Sequence, residues 1–182
     1  MGKIIIVTGH LAALKTTISQ RLGRDLSIVC LNKDVLKEIL GDTIGFTNRE
    51  ENLKLSKATF KLMELYAEKM LEVDQNIILE SNFKDFELNE LRKMLGMNKH
   101  ACLTLFLTGN VQTLFDRYVL RQAIRHPVHT SAGLMTMKDF IESMNTVKKE
   151  DTIGESINID TTVFSEEDFE FLINKVSQFI KQ

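Results

Sequence analysis

Lys15 and Thr16, set six and seven residues after Gly9 near the start of the chain, have the types and spacing needed to hold a triphosphate. In the pattern G-x-x-x-x-G-K-[ST], backbone N–H groups cradle the phosphates, the lysine reaches the outer ones and the hydroxyl holds Mg²⁺. Here the stretch is Gly9-His10-Leu11-Ala12-Ala13-Leu14-Lys15-Thr16-Thr17, which fits at Gly9, Lys15 and Thr16 and departs at Leu14. A glycine at that position takes backbone dihedrals that cost a branched residue roughly 1–2 kcal/mol. The loop follows Ile4-Ile5-Ile6-Val7 and leads into a helical stripe of Ile18, Leu22 and Leu26, the strand-to-helix context that the motif requires.

Further polar residues follow each apolar run: Asn32-Lys33-Asp34, Glu80-Ser81-Asn82, Thr108-Gly109-Asn110 and Asp160-Thr161-Thr162. Open parallel sheets bind ligands beyond the carboxyl ends of their strands, so these groups are candidates for one site. Asp34 opens a helical pattern and reads equally as an N-cap or as the general base that a kinase acting on a hydroxyl needs. Glu80 closes an apolar strand, the placement of a carboxylate that serves Mg²⁺ directly or through water. Arg117, Arg121 and Arg125 recur every fourth residue, so they share a face while the helix lasts, and guanidinium groups suit phosphate oxygens. A solvated basic face is the plainer reading of the same spacing. His126 and His129 flank Pro127 but lack the third partner that a metal site needs.

These residues require a scaffold of alternating strands and helices. Apolar runs around 3–8, 27–31, 76–80, 101–107 and 156–160 alternate with helical periodicity, a βαβ succession predicting a mostly parallel sheet with helices on both faces. Thr47 with Glu50, Thr136 with Asp139 and Ser165 with Asp168 have capping-box spacing at three helix starts. The stretch 122–135, around the single proline Pro127, interrupts the helical pattern and is expected to form a mobile lid. With 182 residues and 43% hydrophobic content, one domain spanning 1–182 is expected. A net charge of −2 gives no global basic field and argues against a nucleic-acid-gripping protein. Cys30 and Cys102 sit inside apolar runs and read as buried core thiols, and no apolar run approaches membrane-spanning length. The N-terminus enters a strand with no signal-peptide pattern, so a cytoplasmic location is expected.

Taken together, the loop Gly9–Thr17, Asp34, Glu80-Ser81-Asn82 and the Arg117/Arg121/Arg125 segment resemble the small P-loop kinases. The chain looks like the AAA-type kinases inferred from sequence, akin to shikimate and gluconate kinases, chloramphenicol phosphotransferase and zeta toxin. The resemblance implies an α/β three-layer P-loop NTPase fold, with a five-stranded parallel sheet in 2-3-1-4-5 order and a lid at about 117–135. It implies ATP and Mg²⁺ as cofactors and a small-molecule hydroxyl as phosphoryl acceptor. By residue, Lys15 would hold the outer phosphates, Thr16 the Mg²⁺, Asp34 would be the base and Arg121 or Arg125 the lid charge. Asp160 and Thr161 would lie in a loop near the adenine. Two other readings stay open at the sequence level: a non-catalytic nucleotide-binding module with a degenerate loop, and a kinase acting on a nucleic-acid end. The mixed charges of the 41–75 segment name no acceptor.

Overall fold

The structure is a computed structural model and describes residues 1–96, 101–130, 133–147 and 152–182. Five strands, β1 (Ile4–Gly9), β2 (Val29–Asn32), β3 (Ile77–Glu80), β4 (Cys102–Thr108) and β5 (Glu155–Asp160), form one sheet in the order β2-β3-β1-β4-β5. Every pairing is parallel. The helices are α1 (Lys15–Leu26), α2 (Lys33–Ile44), α3 (Arg49–Glu72), α4 (Asp85–Leu95), α5 (Val111–Gln122), α6 (Pro127–Thr130), α7 (Met137–Asn145) and α8 (Glu166–Lys181).

Side chains alternate across a strand, so the continuous Ile-Ile-Ile-Val run of β1 supplies both faces of the sheet. Ile5 and Val7 join Leu103, Leu105, Leu22, Leu114, Phe140 and Phe169 in one core, beneath α1, α5, α7 and α8. Ile4 and Ile6 join Ile77, Leu79, Phe60, Met63, Leu88 and Leu91 in the other, beneath α3 and α4. Cys102 is buried, and burial pushes its thiol up to about 12. Cys30 was expected in the core but is only half-buried, because β2 is an edge strand. No helix among the described residues is long and apolar enough to cross a membrane.

The capping boxes at Thr136/Asp139 and Ser165/Asp168 form as the spacing predicts. At α3 the cap lies one residue later: Asn48 accepts from the Glu51 N–H, while the Glu51 carboxylate reaches back to Thr47. Asp34 likewise is no N-cap. The strand β2 runs directly into α2, and Asn32 caps it by accepting from the Val35 N–H at 3.0 Å, leaving Asp34 in the first turn.

Parallel pairing brings every strand's carboxyl end to one edge of the sheet. Asn32 lies beside Glu80 in the β2–β3 register, and Glu80 beside Val7 in the β3–β1 register, so three loops converge where α1 begins.

Candidate active site at the carboxyl edge of the sheet

The loop between β1 and α1 owes its shape to three residues with positive φ: Gly9 at 125°, Ala12 at 59° and Leu14 at 57°. Gly9 is needed for close approach as well as for its dihedral, since a Cβ there would lie 2.0 Å from the Leu107 carbonyl oxygen on β4. Leu14 takes the left-handed conformation that a glycine would occupy, as its departure from the motif predicts, and stands at the N-cap of α1 without a side-chain cap. Lys15 is buried; its Nζ donates to the Gly9 carbonyl at 3.2 Å and also to the His10 carbonyl. Burial lowers the Lys15 ammonium to about 8, against the raising influence of Glu80 and Asp34. The ammonium is folded onto carbonyls of its own loop, where a polyanion seated beside it would favour its charged form.

Across the cleft, the Thr16 hydroxyl donates to Glu80 Oε2 at 3.1 Å. The Asn32 side-chain amide donates to the same carboxylate oxygen and, at 3.2 Å, to Thr16 Oγ1. Asn32 thus uses its oxygen to cap α2 and its nitrogen to fix Glu80. Burial raises the Glu80 carboxyl to about 6, opposed by Lys15. A carboxylate held this far from its ordinary value, beside a hydroxyl and oriented by an amide, fits a hard cation with oxygen ligands.

Asp34 is 59% exposed at its side chain and faces the same cleft. Its neighbour Lys33 is buried against Glu87, which ties the start of α2 to α4. Lys37 reaches Asn52 Oδ1 at 2.6 Å, and burial lowers its ammonium. Leu11 to Thr16, Asp34, Glu80, Arg121 and Arg125 together line one cavity of about 200 Å³, joined by Lys37, Ser56, Asn82 and Lys84. A larger hollow of about 650 Å³ lies between α3 and α4 near Gly2 and Ala101, the residues that precede β1 and β4. It is at the amino edge of the sheet, away from the loops that meet at the site.

Other expected site residues are placed elsewhere. The His10 ring turns to Thr108 Oγ1 at 2.9 Å and packs edge-on against Phe106, so only its backbone belongs to the loop. Thr17 is exposed one residue beyond Thr16. Arg117 separates from Arg121 and Arg125: its guanidinium donates to the Thr161 and Thr162 carbonyls at 2.8 and 3.1 Å. Thr161 bonds the Thr108 carbonyl, and the Asp160 carboxylate accepts from Thr162 within its own loop. Arg117 of α5 and the residues Asp160, Thr161 and Thr162 thus brace the β5–α8 connection, and none of the four lines the cavity.

The segment expected as a mobile lid is anchored in this structure, although Ser131 and Ala132 lie outside the described residues. Val128 is buried; its carbonyl accepts from Asn52 Nδ2 at 2.8 Å, and its side chain fills the space beside Gly41, where a Cβ would lie 3.2 Å from it. His126 and His129 pair with Asp42 and Glu38 at 3.0 Å. Sequence reasoning assigned Asn32 no role, and it missed Asn52, Lys84 and the carboxylate pairing of His129 altogether. Only the strand-end position of Asn32 beside Lys33-Asp34 hinted at the first.

No protein-family model and no curated protein matches the chain. Solved structures do. A candidate kinase from Chloroflexus aurantiacus superposes with a TM-score of 0.77 at 24% identity, over 99% of this chain and 96% of that one. Kti12 from Chaetomium thermophilum, in complex with ADP-AlF3, gives 0.65 at 16% over 97% and 98%. Shikimate kinase from Bacteroides thetaiotaomicron gives 0.60 at 16% over 99% of each chain. With its five parallel strands in 2-3-1-4-5 order and its strand–loop–helix at Gly9–Lys15, the chain has the three-layer P-loop fold of the small kinases.

Proposed function

We propose that this protein is an ATP- and Mg²⁺-dependent kinase that transfers the γ-phosphoryl group to a hydroxyl of a small molecule. The observation that carries the reading is the convergence of the loop Leu11–Thr16, Glu80, Asp34, Arg121 and Arg125 on one cavity. The N–H groups of the loop and Lys15 would hold the phosphates, with Thr16 and Glu80 as the Mg²⁺ side of the site. The nucleotide supplies the phosphoryl group, and the ion supplies positive charge on its oxygens when bound.

The chain's own residues then have separate tasks. Asp34 accepts the proton of the acceptor hydroxyl, and its exposure at the cavity wall leaves its oxygens accessible. Arg121 and Arg125 set positive charge over the transferring group, where it is worth most in a site that excludes water. Lys15 keeps the outer phosphates in line with Asp34, so that positioning contributes much of the rate.

A fold neighbour solved with ADP-AlF3 supports nucleotide use in this fold. The acceptor is proposed to be a small molecule and not a nucleic acid, in keeping with the net charge of −2. The non-catalytic alternative rests on Leu14, yet Leu14 holds the left-handed conformation that the loop needs. Titration with ATP and Mg²⁺, followed by a screen of hydroxylated metabolites for ADP release, tests the reading. Oligonucleotide binding that falls steeply with salt would favour a nucleic-acid end as acceptor.

A further inference from the structure

The short helix α6 places His129 between two carboxylates of α2. Its Nε2 lies 3.0 Å from Glu38 Oε1 and its Nδ1 3.9 Å from Asp34 Oδ1, with the imidazole only 7% exposed. Glu38 and Asp34 are one helical turn apart, so a single ring inserted beside α2 meets both. The insertion is a built contact. The Val128 side chain packs against Gly41, the Val128 carbonyl accepts from Asn52 and Lys37, and His126 Nε2 pairs with Asp42. The Val128 N–H donates to His126 Nδ1 at 3.2 Å, which fixes the neighbouring histidine as the Nε2–H tautomer. His129 is therefore held against α2 from several sides, while Asp34 is otherwise more than half exposed.

We propose that His129 is a positioning residue for Asp34: docking of α6 brings its imidazole to the carboxylate expected to act as base, so that Asp34 is oriented only when the arginine-bearing segment is seated. This rests on the kinase reading of Asp34. A neutral imidazole donates its Nε2–H to Glu38 alone; an imidazolium keeps that bond and attracts the Asp34 carboxylate across 3.9 Å through charge. The charged and titratable groups facing His129 are Asp34 and Glu38 from α2, Arg125 from the turn before α6, and the His126 ring, edge-on with centroids 6.3 Å apart, with Lys37 reaching the adjacent Val128 carbonyl. Burial lowers the imidazole from its ordinary value, and the two carboxylates oppose that shift. Since coupling between two sites is mutual, the influence of Asp34 can be read at the histidine itself.

The test uses the full chain without nucleotide or acceptor, so its outcome is independent of whether the protein is a kinase. The His129 imidazole is titrated by NMR in the wild type, in Asp34→Asn and in Glu38→Gln, alongside amide hydrogen exchange of Val128 and His129 from pH 5.5 to 8. The expected result is a fall of at least about half a pH unit in the His129 midpoint on Asp34→Asn, as loss of a nearby opposite charge requires. Exchange protection of α6, corrected for intrinsic rates, is expected to be lower at pH 5.5 than at pH 8 in the wild type, because a docked imidazole whose value burial has lowered disfavours protonation. In His129→Gln, whose amide can still donate to Glu38, the protection is expected to persist with a smaller pH dependence than in the wild type, His126 and its bonds to Asp42 and Val128 being retained. A His129 midpoint that shifts with Glu38→Gln but not with Asp34→Asn would overturn the proposal and leave His129 as a pin for α6 alone.

Discussion

Thr16 and Glu80, 64 residues apart in the chain, are joined by a 3.1 Å hydrogen bond from the hydroxyl to the carboxylate, at the point where α1 begins beside the end of β3. Under the proposed kinase reading these two residues would hold the Mg²⁺. Because burial raises Glu80 to about 6, protons compete with the ion below that pH. Affinity for ATP·Mg²⁺ is therefore expected to fall as the pH drops from 7.5 to 5.5, and calorimetric titrations across that range should show it. Glu80→Gln should flatten the profile. A raised carboxyl contributes stability below its unfolded value that is lost as pH rises through about 6, so the same variant should stabilise the free protein at pH 7.5 by on the order of 1 kcal/mol.

Lys15 gives a second pH signature. Burial holds it near 8 in the free protein, and phosphate oxygens beside it favour the charged form. ATP binding at pH 8.5–9 should then take up protons, while binding at pH 6.5 should not do so through this lysine. The dependence of the binding enthalpy on the ionisation enthalpy of the buffer measures the uptake, and Lys15→Ala should remove it.

Asp34 and Asn32 are separated by the observed cap. Asp34→Asn is expected to abolish phosphoryl transfer while retaining ATP binding and thermal stability, because Asp34 is exposed and Asn32 caps α2. Asn32→Ala should instead destabilise the fold by about 0.5–2 kcal/mol through loss of the cap. The loss should reach the upper end of that range, since Glu80 also loses its amide donor. Melting curves of the two variants check the stabilities, and ATP titration with an ADP-release assay checks binding and transfer in Asp34→Asn.

Leu14→Gly reports where the cost of the unusual loop falls. If Leu14 merely strained the loop, glycine would tighten ATP binding by up to about 1–2 kcal/mol. In the structure Leu14 holds φ 57°, the left-handed conformation that the loop needs, and the cost is assigned to folding. Leu14 also packs against the core, which offsets part of the relief. The variant is expected to bind ATP within about threefold of wild type, since 1.4 kcal/mol would be needed for a tenfold change. A tenfold gain in a titration would show that the bound loop differs from this one.

The residues that carry the fold were legible where local pattern and tertiary role coincide. The run Ile4–Val7 followed by Gly9 and Lys15 is both a buried strand and a loop motif, and the five apolar runs mark the strands to within one or two residues. The strand order came from resemblance, because periodicity says nothing about which strands are neighbours. The cap residues Asn32 and Asn48 each lay near a plausible rival, and only backbone geometry chose between them. The arginine triplet split for a tertiary reason: Arg117 meets the Thr161–Thr162 turn, whereas Arg121 and Arg125 face the cavity. The seat of α6 depends on Gly41, Asn52 and Val128, which are too far apart in sequence to form a pattern.

Every role assigned to the site depends on ATP binding by the Gly9–Thr16 loop through Lys15. Calorimetric titration of ATP with Mg²⁺ into wild-type protein and Lys15→Ala, with folding of both verified by circular dichroism, tests it most directly. Binding to the wild type is expected to saturate, with affinity lower by at least about tenfold in the variant, a loss of roughly 1.4 kcal/mol or more. Equal binding by a folded Lys15→Ala protein, or no binding to the wild type, would contradict it.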